Sequence, residues 1–290
     1  MKKILVTGGA GFIGSNLCSH LTKHTDYDVF SLDNYFTGST QNHIKGVTYI
    51  KGGCHEIDSL INFSPDIIYH LGEYSRVEQS FEDIETMWAS NKQGIFSVLQ
   101  FCRKHGSKII YAGSSTKFGD GGLGRNQSPY AWAKASNTEL VVNYGNWFNI
   151  PYAITYFYNV YGANEISHGK YATLIAIFKE KIRQGEPLSV VSPGTQKRNF
   201  THVDDIIRGL FLVGEHGYGD EFGIGSPESY TILEIASFFG GNISMLPERK
   251  GNRFGADVVT AKTEALGWKA QCSIKEYIQT FIKSLHQPSA

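Results

Sequence analysis

The chain begins with an apolar run that passes directly into a glycine-rich segment. Residues 3–7 have the pattern of a strand, Gly8-Gly9-Ala10-Gly11-Phe12-Ile13-Gly14 follows, and a helical pattern covers residues 11–23. Glycine permits the tight turn at position 8, close approach of the backbone to a phosphate at position 11, and close packing of helix on strand at position 14. A plain tight turn is the alternative, but it does not require this order of strand, glycines and helix. We therefore predict a dinucleotide site formed by Gly8, Gly11, Phe12, Ile13 and Gly14.

Short apolar runs alternate with helical patterns along the first half of the chain. The runs are nearly continuous in apolar residues, as strands covered on both faces require. This alternation predicts an α/β fold with a doubly wound parallel sheet of the Rossmann type. The predicted strands cover residues 3–7, 28–32, 47–50, 66–70, 108–112 and 152–157, and the predicted helices cover residues 11–23, 56–63, 79–105 and 129–148.

The pattern changes after Gly162. Helical patterns at residues 171–184 and 204–214 mix with short strands, and no linker or repeat separates them from the first part. We expect a dinucleotide-binding domain at residues 1–162 and a smaller α/β substrate-binding lobe at residues 163–290, with some C-terminal segments returning to the first sheet. A ligand would bind where the two parts meet, at the carboxyl ends of the strands.

Charge and cysteine content argue against several classes of partner. The 290 residues include 27 Lys and Arg and 27 Asp and Glu, so we expect no long-range attraction to nucleic acid or to an anionic membrane. No stretch approaches the ~20 apolar residues of a membrane span, and the apolar run at residues 4–6 is too short for a signal sequence. The four cysteines are scattered without a C-x-x-C pair, which predicts reduced thiols, no metal site and a cytoplasmic protein.

A carboxylate follows the second predicted strand, about twenty residues beyond the glycine segment. Asp33 can accept hydrogen bonds from an adenosine ribose and would repel a 2′-phosphate, and no arginine follows at once. This position favours NAD over NADP. The alternative is a strand-end turn formed by Asp33 and Asn34.

Tyr130 and Lys134 lie four residues apart on one face of a predicted helix. A phenol is a poor base at neutral pH, and a nearby ammonium favours its phenolate form. The spacing alone is common on exposed helices, but here it follows a strand that ends at Ser114, whose hydroxyl can donate a hydrogen bond to an oxygen undergoing oxidation. We therefore predict that Tyr130, Lys134 and Ser114 form a catalytic centre.

These features resemble the extended short-chain dehydrogenase/reductase family over nearly the whole chain. Further motifs carry the resemblance: Asp33-Asn34-Tyr35-Phe36-Thr37-Gly38, Asp66-Ile67-Ile68-Tyr69-His70-Leu71, Asn91-Lys92-Gln93-Gly94, Tyr156-Phe157-Tyr158-Asn159-Val160-Tyr161-Gly162, Arg198-Asn199-Phe200-Thr201-His202-Val203-Asp204-Asp205 and Leu266-Gly267-Trp268-Lys269. Within the family the chain is most similar to UDP-glucose 4-epimerases, sugar-nucleotide dehydratases and UDP-glucuronate decarboxylases.

The resemblance implies a role for each matching residue. Tyr130 would be the base, Lys134 its partner and Ser114 the hydroxyl donor. NAD would be bound by Gly8, Gly11, Phe12, Ile13, Gly14, Asp33, Asn34, Tyr35, Thr37, Gly38, Gly53, Cys54, Leu71, Gly72, Ser75, Asn91, Tyr130, Lys134 and Tyr158. The nucleotide-diphosphate sugar would be bound by Ser114, Ser115, Asn159, Arg198 and Arg249. Relatives commonly form homodimers through a four-helix bundle, for which residues 79–105 and 129–148 are the candidates.

The resemblance implies that NAD first oxidises the sugar at C4. The residues after Ser114 bear on the reaction that would follow. A related 4,6-dehydratase would carry Asp-Glu there, and decarboxylases usually carry Glu at position 116, whereas this chain has Ser115 and Thr116. An epimerase needs no further acid or base, because the 4-keto sugar turns and takes the hydride back on its other face. We therefore expect a nucleotide-sugar 4-epimerase. A dehydratase, a decarboxylase and a C4 dehydrogenase or reductase are the alternatives, and a non-catalytic NAD-binding regulatory module is an alternative of another class.

The chain also departs from the family pattern. The family's His-Leu-Ala-Ala is His70-Leu71-Gly72-Glu73 here, so that Glu73 is either a second acid/base group or a partner in a salt link. An aspartate expected near adenine is replaced by Gly53, and residues 119–128 form a shorter, glycine-rich segment, which predicts a more open site.

Overall fold

Buried strands form the centre of the fold, as their apolar sequences require. The computed structural model describes residues 1–115, 124–248 and 258–285. Its strands are β1 (Lys3–Thr7), β2 (Asp28–Asp33), β3 (Val47–Lys51), β4 (Ile67–His70), β5 (Lys108–Ser114), β6 (Tyr152–Phe157), β7 (Val160–Tyr161), β8 (Leu188–Val191), β9 (Lys197–Asn199), β10 (Thr201–His202), β11 (Gly219–Ile224), β12 (Ser229–Thr231) and β13 (Ile243–Leu246).

Helices cover both faces of the central strands and build the second lobe. They are α1 (Phe12–His24), α2 (Ile57–Leu60), α3 (Ile84–Trp88), α4 (Gly94–His105), α5 (Pro129–Phe148), α6 (Leu174–Gln184), α7 (Val203–His216), α8 (Ile232–Phe239), α9 (Ala261–Ala265) and α10 (Ile274–Leu285). Among the described residues, none of these helices combines the length and apolar character needed to cross a bilayer.

Seven strands form one parallel sheet in the order β3-β2-β1-β4-β5-β6-β11. This order, which extends from β1 in both directions, confirms the predicted doubly wound fold class. Residue pairing places Thr7 beside His70, and His70 beside Tyr111. Because parallel strands end at the same edge, the segments that follow β1, β2, β4 and β5 converge at one edge of the sheet.

Side chains of β1 point alternately into two cores. Ile4 and Val6 belong to a core with α1 and α7, whereas Leu5 belongs to a core with α4 and α5. Strand β5 is buried along its whole length. Coverage of both faces explains the nearly continuous apolar runs of these strands.

Residues 79–105 form a broken helix instead of the single predicted one. A 3-10 turn (Glu78–Phe81), α3, a π turn (Ala89–Gln93) and α4 follow one another. The π turn brings buried Asn91 against residue 74, where its Oδ1 accepts from the Tyr74 N–H at 2.7 Å and its Nδ2 donates to the Tyr74 carbonyl at 3.0 Å. These two hydrogen bonds account for the widened helix. The helix predicted at residues 56–63 is likewise reduced to a 3-10 turn (Cys54–Glu56) and α2.

Residues beyond 162 contribute to two different cores. Helices α6, α8 and α10 pack around β8 through Phe178, Leu188, Ile235 and Ile278. Strand β11 instead pairs with β6, and α7 packs on the main sheet beside α1. The lobe is therefore continuous with the sheet at one edge.

A buried carboxylate fastens the C-terminal segment to α7. The Asp205 side chain accepts the backbone N–H of Gln271 at 3.1 Å and that of Cys272 at 3.0 Å, and it pairs with Arg208. The Trp268 indole N–H donates to the Asp205 carbonyl at 2.8 Å. Asp205 thereby fixes the segment that leads into α10.

We expect Asp205→Ala to lower the free energy of unfolding by about 3 kcal/mol, because buried N–H donors and an arginine lose their partner. Urea denaturation measures this difference. The matched control is Asp204→Ala, whose side chain is 65% exposed and should change stability by no more than about 0.5 kcal/mol. Equal effects of the two substitutions on stability would contradict the proposed role of Asp205 in fixing the C-terminal segment.

Candidate active site

A cavity of about 880 Å³ extends along the carboxyl edge of the sheet and is bounded on its other side by the C-terminal lobe. Its walls come from the ends of the central strands, from the start of α5 and from β8 and β9. Most residues singled out in the sequence line it: Gly8, Gly11, Phe12, Ile13, Gly14, Asp33, Asn34, Thr37, Gly38, Gly53, Cys54, Leu71, Gly72, Ser75, Ser114, Ser115, Tyr130, Lys134, Asn159 and Arg198.

Three of the sequence candidates lie outside this lining. The backbone of Tyr35 has φ 59° and its hydroxyl lies 3.0 Å from His43 Nε2, so the ring borders a separate small depression. Asn91 is buried behind the cavity against Tyr74. Tyr158, expected at the nicotinamide, is buried in the core, and its hydroxyl accepts the Val259 N–H at 3.1 Å.

Close packing against a glycine accounts for the position of Tyr158. A Cβ at Gly225 would lie 2.5 Å from Tyr158 Cδ2, so the ring occupies space that this glycine leaves. Phe157 and Asn159, its neighbours on either side, line the cavity. Arg249 lies outside the described residues.

The glycine segment leaves no space for larger residues. A Cβ at Gly14 would lie 2.1 Å from the Gly8 carbonyl oxygen, and a Cβ at Gly8, where φ is +73°, would lie 2.9 Å from Gly72 Cα. Helix α1 starts after Gly11 with no side-chain cap and no acidic residue in its first turn. Its first N–H groups therefore favour an anion at this end of the cavity.

Asp33 closes the same end of the cavity. Its carboxylate is 6% exposed and accepts the Ala10 N–H at 2.9 Å and the Tyr35 N–H at 2.7 Å. A Cβ at Gly38 would lie 3.0 Å from the Asp33 Oδ1. The carboxylate is thus fixed by backbone donors and borders the cavity through its remaining acceptor capacity.

The hydroxyl groups of Tyr130 and Ser114 meet at the opposite end. Ser128 caps α5 by accepting the Ala131 N–H at 3.1 Å, which places Tyr130 in the first turn of the helix. The Tyr130 hydroxyl then reaches Ser114 Oγ, at the end of β5, at 3.5 Å. Both residues are nearly buried and line the cavity.

Lys134 lies one helical turn further along α5, and its ammonium has two short contacts. Nζ donates to the Ala112 carbonyl at 2.6 Å and pairs with Glu73 Oε2 at 2.6 Å. The side chains of Lys134 and Glu73 are 5% and 2% exposed. Of the two possibilities left open for Glu73, the structure places it in a salt link with Lys134.

Sequence reasoning missed several polar residues that line the cavity, namely Arg76, Tyr171, Thr173 and Gln196. Arg76 donates to the Tyr171 carbonyl from Nε at 3.0 Å and also from Nη2. The Asp83 carboxylate also connects the segment that contains Tyr74 with the segment that contains Tyr171, because it accepts a hydrogen bond from each of these hydroxyls. These residues reach the cavity only when the lobe packs on the sheet, and no local pattern in the sequence indicates that packing.

Comparison with known proteins identifies the family. Residues 4–225 match the model of the NAD dependent epimerase/dehydratase family. The uncharacterised UDP-glucose epimerase YtcB of Bacillus subtilis is 31% identical over 81% of this chain and 80% of its own length. UDP-glucuronic acid decarboxylase 6 of Arabidopsis thaliana is 29% identical over 94% of this chain and 86% of its own length.

A solved structure agrees with this result. The Thermus thermophilus UDP-glucose 4-epimerase in complex with NAD is 25% identical, with a TM-score of 0.86 over 97% of this chain and 98% of that one. The family match includes the glycine segment, the strands of the sheet and both hydroxyl residues of the site. This chain belongs to the NAD-dependent epimerase/dehydratase family of nucleotide-sugar enzymes.

Proposed function

We propose that this chain is a nucleotide-sugar 4-epimerase. NAD is the cofactor of its family, and when bound it supplies the acceptor and donor of the C4 hydride. The observation that carries the proposal is the pair Ser115 and Thr116 after Ser114, since neither side chain can serve as a carboxyl acid or base at sugar C5 or C6. Oxidation at C4 and return of the hydride to the other face need only one base.

Tyr130 would take the proton from the 4-hydroxyl, and Ser114 would donate a hydrogen bond to the same oxygen. The 3.5 Å separation of their hydroxyl oxygens at one wall of the cavity supports this division of roles. Lys134 would favour the phenolate of Tyr130 through its positive charge. The three residues together form the acid/base machinery of the proposed reaction.

The opposite end of the cavity fits the adenosine half of NAD. The free N–H groups at the start of α1 would bind the pyrophosphate, and Asp33 would accept from the ribose hydroxyls. A 2′-phosphate would face the Asp33 carboxylate at close range, which supports NAD over NADP. Gly53 and Cys54 line the wall beyond this carboxylate, where adenine would lie.

The nucleotide diphosphate of the sugar would bind near β9. Arg198 and Asn159 line the cavity there, and the Asn159 amide donates to the Asn199 carbonyl at 2.8 Å. Because the chain has no net charge, two phosphates require local cations, and Arg198 supplies one. We propose Arg249 as another from the family resemblance.

The decisive experiment supplies the NAD-loaded protein with UDP-, GDP-, CDP- and dTDP-sugars in deuterated water and follows the products by NMR. We expect inversion at C4 without deuterium uptake from solvent. Tyr130→Phe should retain NAD and lose turnover by about 10²–10⁴-fold, since the general base is removed.

Other results would identify another reaction. Deuterium at C5 would indicate a dehydratase or an epimerase acting at C3 and C5, and loss of carbon dioxide from a uronic acid would indicate a decarboxylase. NAD binding without turnover of any sugar would favour a regulatory module. Full activity of Tyr130→Phe would remove that residue from the mechanism.

Substitution of two glycines separates folding from cofactor binding. Gly14→Ala should lower the melting temperature, because its Cβ meets backbone at 2.1 Å, whereas a Cβ at Gly11 meets its nearest neighbour at 3.2 Å. Gly11→Ala should fold and lose at least about tenfold in NAD affinity, or about 1.4 kcal/mol, measured by calorimetry. Unchanged NAD affinity in Gly11→Ala would place the pyrophosphate elsewhere.

We also propose that two copies of the chain associate through α3, α4 and α5. These helices present exposed aromatic side chains, of which Trp88 is 46%, Phe96 49% and Trp132 40% exposed. The rings of Trp88 and Trp132 stack at 5.9 Å and 8°. Exposed aromatic side chains on neighbouring helices are typical of an association face, and the family resemblance implies a second copy as its partner.

Replacement of Trp132 by Glu should convert a dimer into monomers, because an uncompensated charge would be buried at the interface. Analytical ultracentrifugation measures the change. Tyr218→Glu is the matched control, since Tyr218 is 65% exposed but lies outside this face. A wild-type protein that sediments as a monomer would disprove the proposed dimer.

A further inference from the structure

The Glu73 carboxylate is surrounded by donors from three elements. Oε2 accepts from the Tyr111 hydroxyl of β5 at 3.0 Å and pairs with Lys134 of α5 at 2.6 Å. Oε1 accepts from the Asn137 amide of α5 at 3.1 Å and lies 3.5 Å from His70 Nε2 of β4. Both oxygens of this buried group are therefore directed at protein partners.

The backbone that carries Glu73 is fixed on both sides. The Thr7 hydroxyl oxygen accepts the Gly72 N–H at 3.0 Å, and Asn91 binds the backbone of Tyr74. A Cβ at Gly72 would lie 3.0 Å from Cys54 Sγ. The segment that carries Gly72 and Glu73 therefore packs closely against the edge of the sheet.

The charge states of the surrounding groups follow from their contacts. Burial disfavours the Glu73 carboxylate, but Lys134 and His70 outweigh burial and hold the pKa of Glu73 below its usual value. Burial, reinforced by Glu73, raises the pKa of Tyr111 far above its usual range, so Tyr111 is a neutral donor. Ionised Glu73 and the Lys134 ammonium therefore form a buried ion pair.

His70 lies between Thr7 and Glu73 in this cluster. Its Nδ1 lies 2.8 Å from the Thr7 hydroxyl oxygen, which also accepts N–H groups from Leu71 and Gly72. Burial lowers the pKa of His70, but its interactions with Cys54 and Glu73 outweigh burial and raise this pKa to about 9. Lys92 contacts the cluster through Asn137, because its Nζ donates to the Asn137 Oδ1 at 2.8 Å.

We propose that Glu73 is a positioning residue that fixes Lys134 and weakens its positive field at Tyr130, so that the Tyr130 phenolate forms at a higher pH than it would without this carboxylate. The inference rests on the proposed roles of Tyr130 and Lys134. Arg76 and Tyr111 are the other titratable groups that interact with Tyr130, and both remain when Glu73 is replaced.

A role in direct proton transfer is less consistent with these contacts. A carboxyl group that exchanges protons with a sugar must reach the substrate, whereas the Glu73 side chain is 2% exposed and both its oxygens face protein donors. A group held ionised by a neighbouring ammonium also donates no proton near neutral pH. Glu73 acts through Lys134.

The test is a spectroscopic titration of Tyr130 in the NAD-loaded protein. The phenolate absorbance of each protein is compared with that of its Tyr130→Phe counterpart, so the measurement needs no sugar substrate. In Glu73→Gln we expect the midpoint of Tyr130 ionisation to move to lower pH by about one unit, because a negative neighbour has been removed. The acidic limb of the pH–rate profile should move in the same direction. Glu73→Asp, which keeps the charge, should titrate close to the wild type.

The control for a general change of charge is Glu82→Gln, an exposed residue on the same stretch of chain. It should leave the Tyr130 midpoint unchanged. If Glu73→Gln does not fold, the titration is made on Glu73→Ala, since alanine is the residue that the family pattern has at this position beside the same lysine. Tyr130 should again ionise at lower pH than in the wild type.

An unchanged midpoint in Glu73→Gln, or in Glu73→Ala where Glu73→Gln does not fold, would overturn the inference and leave Glu73 a structural role only. Loss of turnover in Glu73→Gln with an unshifted Tyr130 midpoint would overturn it in favour of direct acid/base chemistry. Absence of turnover in the wild type, by contrast, would refute the proposed function and leave the titration result standing.

Discussion

A buried ammonium requires a fixed negative partner, and Lys134 has one in Glu73. Removing one member of such a pair typically costs about 3–5 kcal/mol, because the other charge remains buried without compensation. The pair joins the end of β4 to α5, and the Ala112 carbonyl joins it to β5. The positions of the Tyr130 and Ser114 hydroxyl groups therefore depend on the contact at which these three elements meet.

The parallel sheet makes this contact possible. Thr7, His70 and Tyr111 are neighbours across β1, β4 and β5, although more than a hundred residues separate the first from the last. The Thr7 hydroxyl oxygen lies 2.8 Å from His70 Nδ1, and the other ring nitrogen of His70 lies 3.5 Å from the Glu73 carboxylate. The Tyr111 hydroxyl donates to the same carboxylate at 3.0 Å. The glycine segment that follows β1 and Ser114 at the end of β5 are thus held in register by the same strands.

Much of this arrangement follows from local sequence pattern. Strands β1 and β6 have the predicted bounds, and α5 begins at Pro129 after the Ser128 cap, because apolar runs and capping residues act over short distances. The same patterns indicated that Tyr130 and Lys134 share a helical face. The glycine segment and Asp33 supplied the expectation of NAD, which the family match confirms.

Other features depend on contacts between distant segments and could not be predicted in the same way. The π turn at Asn91 exists because its side chain binds the backbone of Tyr74. Tyr158 was expected at the cavity, but its ring packs into the core against Gly225, which is distant in sequence. The choice between two roles for Glu73 depended on Tyr111 and Asn137, and neither lies near it in sequence.

Glu73 also links the stability of the fold to the chemistry of the site. Its pKa is lower in the folded chain than in the unfolded chain, so ionised Glu73 stabilises the fold fully above its unfolded pKa. This contribution is lost as the pH falls through the folded pKa of Glu73, because a protonated carboxyl group no longer carries the charge that pairs with Lys134. Protonation would at the same time release Lys134 from its partner. Acid that protonates Glu73 would therefore also disturb the position of the ammonium beside Tyr130.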